Sequence, residues 1–150
     1  MRLSPNFTLA QLTRSDTAAR LCIDNRPDAQ QIANLARLAD CLEQVQSLLG
    51  HPLVINSAFR APALNAAVGG APLSRHAVGL AVDFTCAEFG SPLEVARAIA
   101  QSPLKFDQLI HEYGRWVHLG LAPEAYPLRR ELMTICGSQS GYTDGLSPCG

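Results

Sequence analysis

A chain of 150 residues with 47% hydrophobic and 17% charged residues has the size and composition of one globular domain, and we expect residues 1–150 to form a single domain. Its formal net charge of −1, without any basic run, gives no electrostatic support for a nucleic-acid partner. No apolar run approaches the ~20 residues that a membrane span needs, and the N-terminus lacks the apolar core of a secretory signal, so we expect cytoplasmic synthesis.

Helical signals dominate the first third of the chain. Two short helices are predicted over residues 7–14 and 16–21. The longest predicted helix covers residues 28–49, because apolar residues recur there at helical spacing between Pro27 and Gly50. Its apolar stripe predicts packing in the core rather than a surface for a partner.

Short strands with interleaved helices follow. The predicted strands are 53–57, 80–84, 106–112, 116–121 and 132–136, and the predicted helices are 61–68 and 92–101. A tight turn at 113–115 should join its two flanking strands, 132–136 should be an edge strand, and the glycine- and serine-rich residues 137–150 should be a loose tail. This order predicts an α+β fold with a small, mostly antiparallel sheet covered by helices.

The five cysteines are an odd number, and none lies in a Cys-x-x-Cys pair. This pattern argues against a disulfide framework and against a zinc site built from thiolates. We expect buried or idle thiols, since free cysteine behaves mostly as a small hydrophobic residue. A bridge between Cys136 and Cys149 is the alternative if the chain meets an oxidising compartment.

Histidine and aspartate residues carry the strongest chemical signal. His76 precedes Asp83 by seven residues, and Gly79 between them allows a sharp turn. Asp83 shares a face of its predicted strand with the small residue Ala81, which leaves room for a site. A carboxylate in so apolar a strand needs a partner, because burying it unpaired is costly. A metal ion would be such a partner.

His118 lies on the other strand of interest. It shares a face with Trp116 and Gly120, and the alternation of apolar and polar residues places both His118 and Asp83 on exposed faces. If the two strands are neighbours, these residues and His76 converge into three nitrogen and oxygen ligands, which is the ligand set of a catalytic zinc. Spacing alone leaves open that each histidine is an ordinary core or surface residue.

The motif S-x-H-x-x-G-x-A-x-D at residues 74–83, followed by W-V-H at 116–118, resembles the signature of the zinc D-alanyl-D-alanine carboxypeptidases. The relatives of that family include phage L-alanyl-D-glutamate endolysins, and they share a fold with the hedgehog signalling domain. The segments N-S-A-F-R at 56–60 and L-N at 64–65 also resemble the family, and residues 6–16 resemble its phage and prophage branch. The similarity covers about residues 4–122.

The resemblance implies a zinc peptidase acting on peptidoglycan stem peptides, either as a D-Ala-D-Ala carboxypeptidase or as an L-Ala-D-Glu endopeptidase. It implies that Zn²⁺ is held by His76, Asp83 and His118. Arg60 would stabilise the carbonyl oxygen of the substrate and Ser74 would bind the substrate. The alternatives are a surface arginine packed on the next helix and a serine that caps a turn. Without a secretory signal, the chain would reach the cell wall or periplasm only by release or delivery.

One position departs from the family pattern. Many members carry an acid three residues before the last histidine, as the general base, but this chain has Arg115 there, which cannot act as a base. Glu112 lies on the opposite arm of the predicted hairpin, and hairpin arms are ~5 Å apart. We therefore predict Glu112 as the catalytic base, with His111 and a merely solvated Glu112 as alternatives.

Because Arg115 stands where many family members carry the acid, two other functions are alternatives. The first is a non-catalytic zinc module of the same fold that binds a protein or a cell-wall partner. The second is a structural protein of a phage tail or capsid, in which the metal only stabilises the fold.

Overall fold

Six strands form one sheet in the computed structural model, which describes residues 1–150. In chain order they are β1 (Val54–Ser57), β2 (Ala81–Thr85), β3 (Gln108–Glu112), β4 (Trp116–Gly120), β5 (Glu131–Ile135) and β6 (Tyr142–Asp144). Their spatial order is β1-β2-β4-β3-β5-β6, and every neighbouring pair is antiparallel except the parallel pair β3 and β5. The predicted α+β class with a mostly antiparallel sheet is confirmed.

Five α-helices and one 3₁₀ helix accompany the sheet. They are α1 (Leu9–Thr13), α2 (Asp16–Arg20), α3 (Ala29–Leu49), α4 (Pro62–Ala67), the 3₁₀ helix (Arg75–Val78) and α5 (Pro92–Ala100). Asp28 caps α3 by accepting the backbone N–H of Gln31. The helix ends where the sequence predicts, at Gly50, which has the left-handed conformation. No helix is both long and apolar enough to cross a membrane.

Helices α3 and α5 cover one face of the sheet, and the opposite face carries the site. The apolar stripe of α3 (Leu35, Leu38, Leu42, Val45) and the buried side of α5 (Val95, Ala96, Ile99) join the strand residues Leu109, Val117 and Leu119 in one core cluster. Because successive side chains of a strand point to opposite faces, the residues between these apolar ones face away from the helices. Asp83, Glu112 and His118 belong to that second set.

The turn between β3 and β4 is as tight as predicted. Tyr113 and Gly114 both have positive φ, 61° and 67°, and the N–H of Arg115 donates to the carbonyl oxygen of Glu112 at 3.0 Å. Positive φ at both central residues is typical of the type I′ turn, whose twist matches the twist of antiparallel strands. The turn therefore fixes the register in which Glu112 lies opposite Trp116.

The C-terminal segment differs from the prediction in two respects. First, β5 is not an edge strand, because β6 pairs with its outer side. Second, residues 137–150 are not simply a loose tail: they contain β6 and are tied back by a disulfide between Cys136 and Cys149. A three-residue strand between glycines carries no periodic signal in the sequence. The other cysteines, Cys22, Cys41 and Cys86, are free thiols.

Candidate metal centre and catalytic cleft

Two of the predicted ligands are direct partners on adjacent strands. The register of β2 and β4 places Asp83 opposite His118. The Nδ1 atom of His118 lies 2.9 Å from Oδ1 of Asp83, within hydrogen-bonding distance. Side chains that are directly opposite each other share one face of the sheet, so both point toward the face opposite helices α3 and α5.

The third predicted ligand comes from the 3₁₀ helix that precedes β2. The Ser74 hydroxyl oxygen accepts the backbone N–H of His76, and Gly79 ends the helix with a φ of +81°. A Cβ atom at Gly79 would lie 2.9 Å from the carbonyl oxygen of Gln31 in α3, so only glycine fits there without displacing the backbone. This turn brings Nε2 of His76 to 3.3 Å from Oδ1 of Asp83.

Residues 58–60 hold His76 from the opposite side. Its Nδ1–H donates to the carbonyl oxygen of Ala58 at 2.7 Å, and the N–H of Arg60 donates to the carbonyl oxygen of His76 at 3.0 Å. Because a carbonyl can only accept, Nδ1 carries the proton of the neutral ring and Nε2 presents a lone pair. That nitrogen is buried and has no hydrogen bond. An orienting carbonyl behind a free nitrogen is the usual arrangement of a metal-binding histidine.

The donor set fits a zinc ion. One donor atom from each of His76, Asp83 and His118 lies within 4.8 Å of the others. Donors ~2.0–2.1 Å from a tetrahedral ion are ~3.3 Å apart, close to the spacings observed here. Burial lowers the pKa of His76, which favours its neutral form. Burial alone would raise the pKa of Asp83, but His118 and His76 outweigh it and keep the carboxyl ionised.

The exposure predicted for these strands is wrong. Asp83 is 8% and His118 9% exposed, although both were expected on exposed faces. Alternation identifies the correct face of the sheet, but it cannot show that another part of the chain crosses that face. Residues 58–60 and the 3₁₀ helix do so, and they bury the ligand candidates at the bottom of a cleft.

The cleft also contains the predicted base. Glu112 lies on the same face, and its Oε1 accepts the indole N–H of Trp116 at 2.7 Å. Burial is the main cause that raises the pKa of Glu112, and the charge of Asp83 adds to it, against the opposing effects of His118, Trp116 and Arg60. A carboxyl whose pKa is shifted toward neutrality is suited to exchange protons. His111 does not reach the cleft: it faces the opposite side of the sheet and its Nδ1–H donates to the carbonyl oxygen of Ser147.

Arg60 and Ser74 also line the cleft. Burial lowers the pKa of Arg60, while the charges of Asp83 and Glu112 raise it, and its Nε is buried without a hydrogen-bond partner. An arginine with free donors beside the metal candidates is placed to meet a charged or polarised oxygen. The hydroxyl of Ser74 caps the 3₁₀ helix, as the alternative interpretation expected, and its binding of substrate stays a prediction.

Three features of the cleft escaped the sequence analysis. Tyr113 packs edge-on against Trp116, with ring centroids 5.4 Å apart, and Tyr142 of β6 lines the same wall. At the far end, Asp107 is paired with Arg75 and Arg129, at 3.2 and 2.9 Å. The position of Asp107 inside a predicted strand was a usable signal, because a carboxylate there needs a partner. No local signal marks Tyr142.

Comparison with known proteins identifies the family. A profile of the family described as Peptidase M15 matches residues 5–120, which include all the metal-ligand candidates, Arg60 and Glu112. No curated protein matches the chain significantly. The family consists of peptidases that are typically zinc-dependent, in agreement with the His–Asp–His donor set. The chain belongs to the Peptidase M15 family.

Proposed function

We propose that the protein is a zinc-dependent peptidase that hydrolyses the stem peptides of peptidoglycan, as a D-Ala-D-Ala carboxypeptidase or an L-Ala-D-Glu endopeptidase of phage or prophage origin. The observation that carries this proposal is the buried, unpartnered Nε2 of His76, which faces Asp83 and His118 in the cleft that contains Glu112. A buried nitrogen without a partner is costly, and a metal ion would satisfy it.

Each functional residue of the cleft has a separate role in the proposed hydrolysis. Zinc, when held by His76, Asp83 and His118, supplies a Lewis acid that activates water and polarises the scissile carbonyl. Glu112 takes a proton from the attacking water and delivers it to the leaving amine. The guanidinium of Arg60 donates to the carbonyl oxygen as negative charge develops on it.

The environment of Glu112 suits both halves of this proton transfer. Burial keeps its pKa above that of an ordinary glutamate, so the protonated form is accessible when the amine leaves. The N–H of Trp116 holds one carboxylate oxygen, which leaves the other for the water. Ser74, next to the first histidine, is proposed to contact the bound peptide.

A non-catalytic zinc module that binds a wall or protein partner is the second candidate. The presence of Arg115 where relatives carry an acid favours it. It differs from the peptidase in one measurable respect, since the module would bind zinc and peptide but release no product.

A digest of purified peptidoglycan, analysed by mass spectrometry, tests the proposal. The protein loaded with zinc should release fragments cut at one stem-peptide bond, and the mass of the fragments identifies the bond. His118→Ala should release none, whereas His51→Ala, at an exposed histidine outside the cleft, should match the unchanged protein. Zinc binding without any fragment would support the module instead.

We further propose that the protein is made in the cytoplasm and reaches the wall by release or delivery.

A further inference from the structure

We propose that the loop closed by the Cys136–Cys149 disulfide is a substrate-binding element, and that Tyr142 is the residue through which it binds the peptide. The inference rests on the proposed peptidase function and adds a specificity residue to it. The loop lies outside the residues that match the family, 5–120.

The strand register places Tyr142 in line with the catalytic residues. Glu112 lies opposite Trp116 on β4 and beside Ile135 on β5, and Ile135 lies opposite Tyr142 on β6. Residues paired in this way share one face of a sheet, so these four side chains form a row across the face that contains the metal candidates. Tyr142 ends this row and lines the cleft.

The surface around this row has the character of a peptide-binding wall. Tyr142 is 57% exposed although it is aromatic, and the Tyr113–Trp116 pair lies in the same wall. Two more exposed apolar side chains, Val68 at 42% and Leu73 at 94%, also line the cleft. Exposed apolar groups gathered in one cleft together with charged groups mark a binding site rather than scattered surface exposure.

The loop that carries Tyr142 has few other attachments. All three residues of β6 are exposed. Beyond the strand ladder, two side chains hold the loop. The hydroxyl of Thr134 donates to the carbonyl oxygen of Gly145 and accepts the N–H of Ser147, and the Nδ1–H of His111 donates to the carbonyl oxygen of Ser147. So small a strand is weakly stable by itself. The disulfide joins two residues that are 13 apart in the sequence and closes the loop that contains β6, and it thus favours the ordered position of Tyr142.

Substrate affinity should therefore depend on the redox state of this cysteine pair. In the reduced chain Cys136 and Cys149 are thiols. Exchange with a disulfide oxidant such as glutathione disulfide forms their S–S bond: the two thiols lose two protons and two electrons, and the oxidant accepts both and becomes two thiols. In the oxidised form Tyr142 keeps its ordered position in the cleft. In the reduced form only a fraction of the molecules hold Tyr142 in that position.

The first test compares Tyr142→Ala with Tyr126→Ala, because Tyr126 is also exposed but lies outside the cleft. With a soluble muropeptide as substrate, Tyr142→Ala should raise KM about tenfold, the equivalent of ~1.4 kcal/mol of binding. The kcat and the bound zinc should stay unchanged, and Tyr142→Phe should restore KM because the ring makes the contact. Equal KM values for Tyr142→Ala and Tyr126→Ala would overturn the inference.

The second test addresses the disulfide. The double variant Cys136→Ser/Cys149→Ser should show faster amide hydrogen exchange in residues 142–144 and a raised KM, with zinc content unchanged. Cys22→Ser, at an exposed free thiol, is the matched control and should change none of these. A double variant with native KM and native exchange would overturn the inference. Absence of any turnover by the unchanged protein would instead overturn the proposed function. Amide hydrogen exchange in the loop would still report whether the disulfide orders the loop.

Discussion

Trp116 donates its indole N–H to Glu112 across the β3–β4 hairpin, with 2.7 Å between Nε1 and Oε1. The two residues are direct partners in the strand register, and Trp116 precedes His118 by two residues on β4. The tight turn at Tyr113–Gly114 fixes that register, so it also fixes the position of the carboxylate in the cleft. A glutamate on the opposite arm of the hairpin can thus occupy the cleft although Arg115 stands at the usual acid position.

Replacing Glu112 with glutamine should nearly abolish catalysis without releasing zinc. Glutamine keeps the shape and can still accept the N–H of Trp116, but it cannot accept a proton. We expect hydrolysis of wall peptides to fall by roughly 10²–10⁴-fold. Glu124→Gln, at an exposed glutamate outside the cleft, should retain full activity. Turnover of Glu112→Gln within a few-fold of the unchanged protein would place the base elsewhere.

The pH dependence of the reaction gives an independent check on Glu112. A base must be ionised, so kcat/KM should fall as the pH drops through the pKa of Glu112. Burial raises this pKa above the usual glutamate value, and the decline should begin at a correspondingly higher pH than for an exposed glutamate. The residual activity of Glu112→Gln should lack this acidic limb. An unchanged limb in the variant would assign it to another group.

Removing the Arg60 side chain should weaken catalysis while the fold and zinc binding persist. Arg60→Ala keeps the backbone N–H that holds the carbonyl of His76, but it loses the guanidinium in the cleft. We expect kcat/KM to fall by on the order of 10²-fold, the typical effect of losing one oxyanion donor. Arg20→Ala, at the exposed end of α2, is the matched control. An unchanged rate would give Arg60 only a packing role.

The sequence predicts those helices and strands whose signals lie within their own residues. Helix α3 has a capping residue, an apolar stripe and a terminal glycine, and the hairpin has alternating strands around a glycine turn, so each element is encoded within its own residues. Strand β6 is different. The disulfide and the hydroxyl of Thr134 accompany its pairing with β5, and these are contacts between separate parts of the chain. The edge of the sheet was therefore misplaced.

The same distinction applies to the site. The ligand residue types and their faces could be predicted, because alternation places Asp83 and His118 on one side of their strands. The burial of these residues could not, since it comes from residues 58–60 and the 3₁₀ helix crossing that face. The carbonyl group of Ala58 orients the ring of His76, and because every residue has a backbone carbonyl, the amino-acid sequence does not indicate this contact.

Zinc binding should depend on both histidines. We expect about one zinc per chain in the purified protein, measured by plasma emission, because the site offers a single set of three donors. His76→Ala and His118→Ala should each lose most of it, and His51→Ala should retain it. Chelation should abolish activity, and added zinc should restore it. Full occupancy in both cleft variants would contradict the assignment of the ligands.

Asp107 should make the stability of the fold sensitive to acid. Its side chain is 2% exposed and accepts hydrogen bonds from the backbone N–H, Nε and Nη2 of Arg129. Arg75, which precedes the ligand candidate His76, pairs with Asp107 at 3.2 Å. The hydrogen bonds from Arg129 are the main cause of the lowered pKa of Asp107, and they outweigh the effect of burial. The group therefore stabilises the fold when it is ionised.

The sign of the pH effect follows from that lowered pKa. The stabilisation is fully present above the pKa of an unfolded aspartate, ~3.9, and is lost as the pH falls below it through the pKa of the folded state. Asp107→Asn should lower the free energy of unfolding at neutral pH by about 1–3 kcal/mol, since the negative charge is lost and an amide NH2 donor replaces one of the two oxygens that accept from arginine. It should also flatten the acid dependence. Urea unfolding of the metal-free protein between pH 2 and pH 7 measures both effects. Asp16→Asn, in the exposed pair with Arg14, should change neither, and a slope in Asp107→Asn as steep as in the unchanged protein would assign the acid sensitivity to other carboxylates.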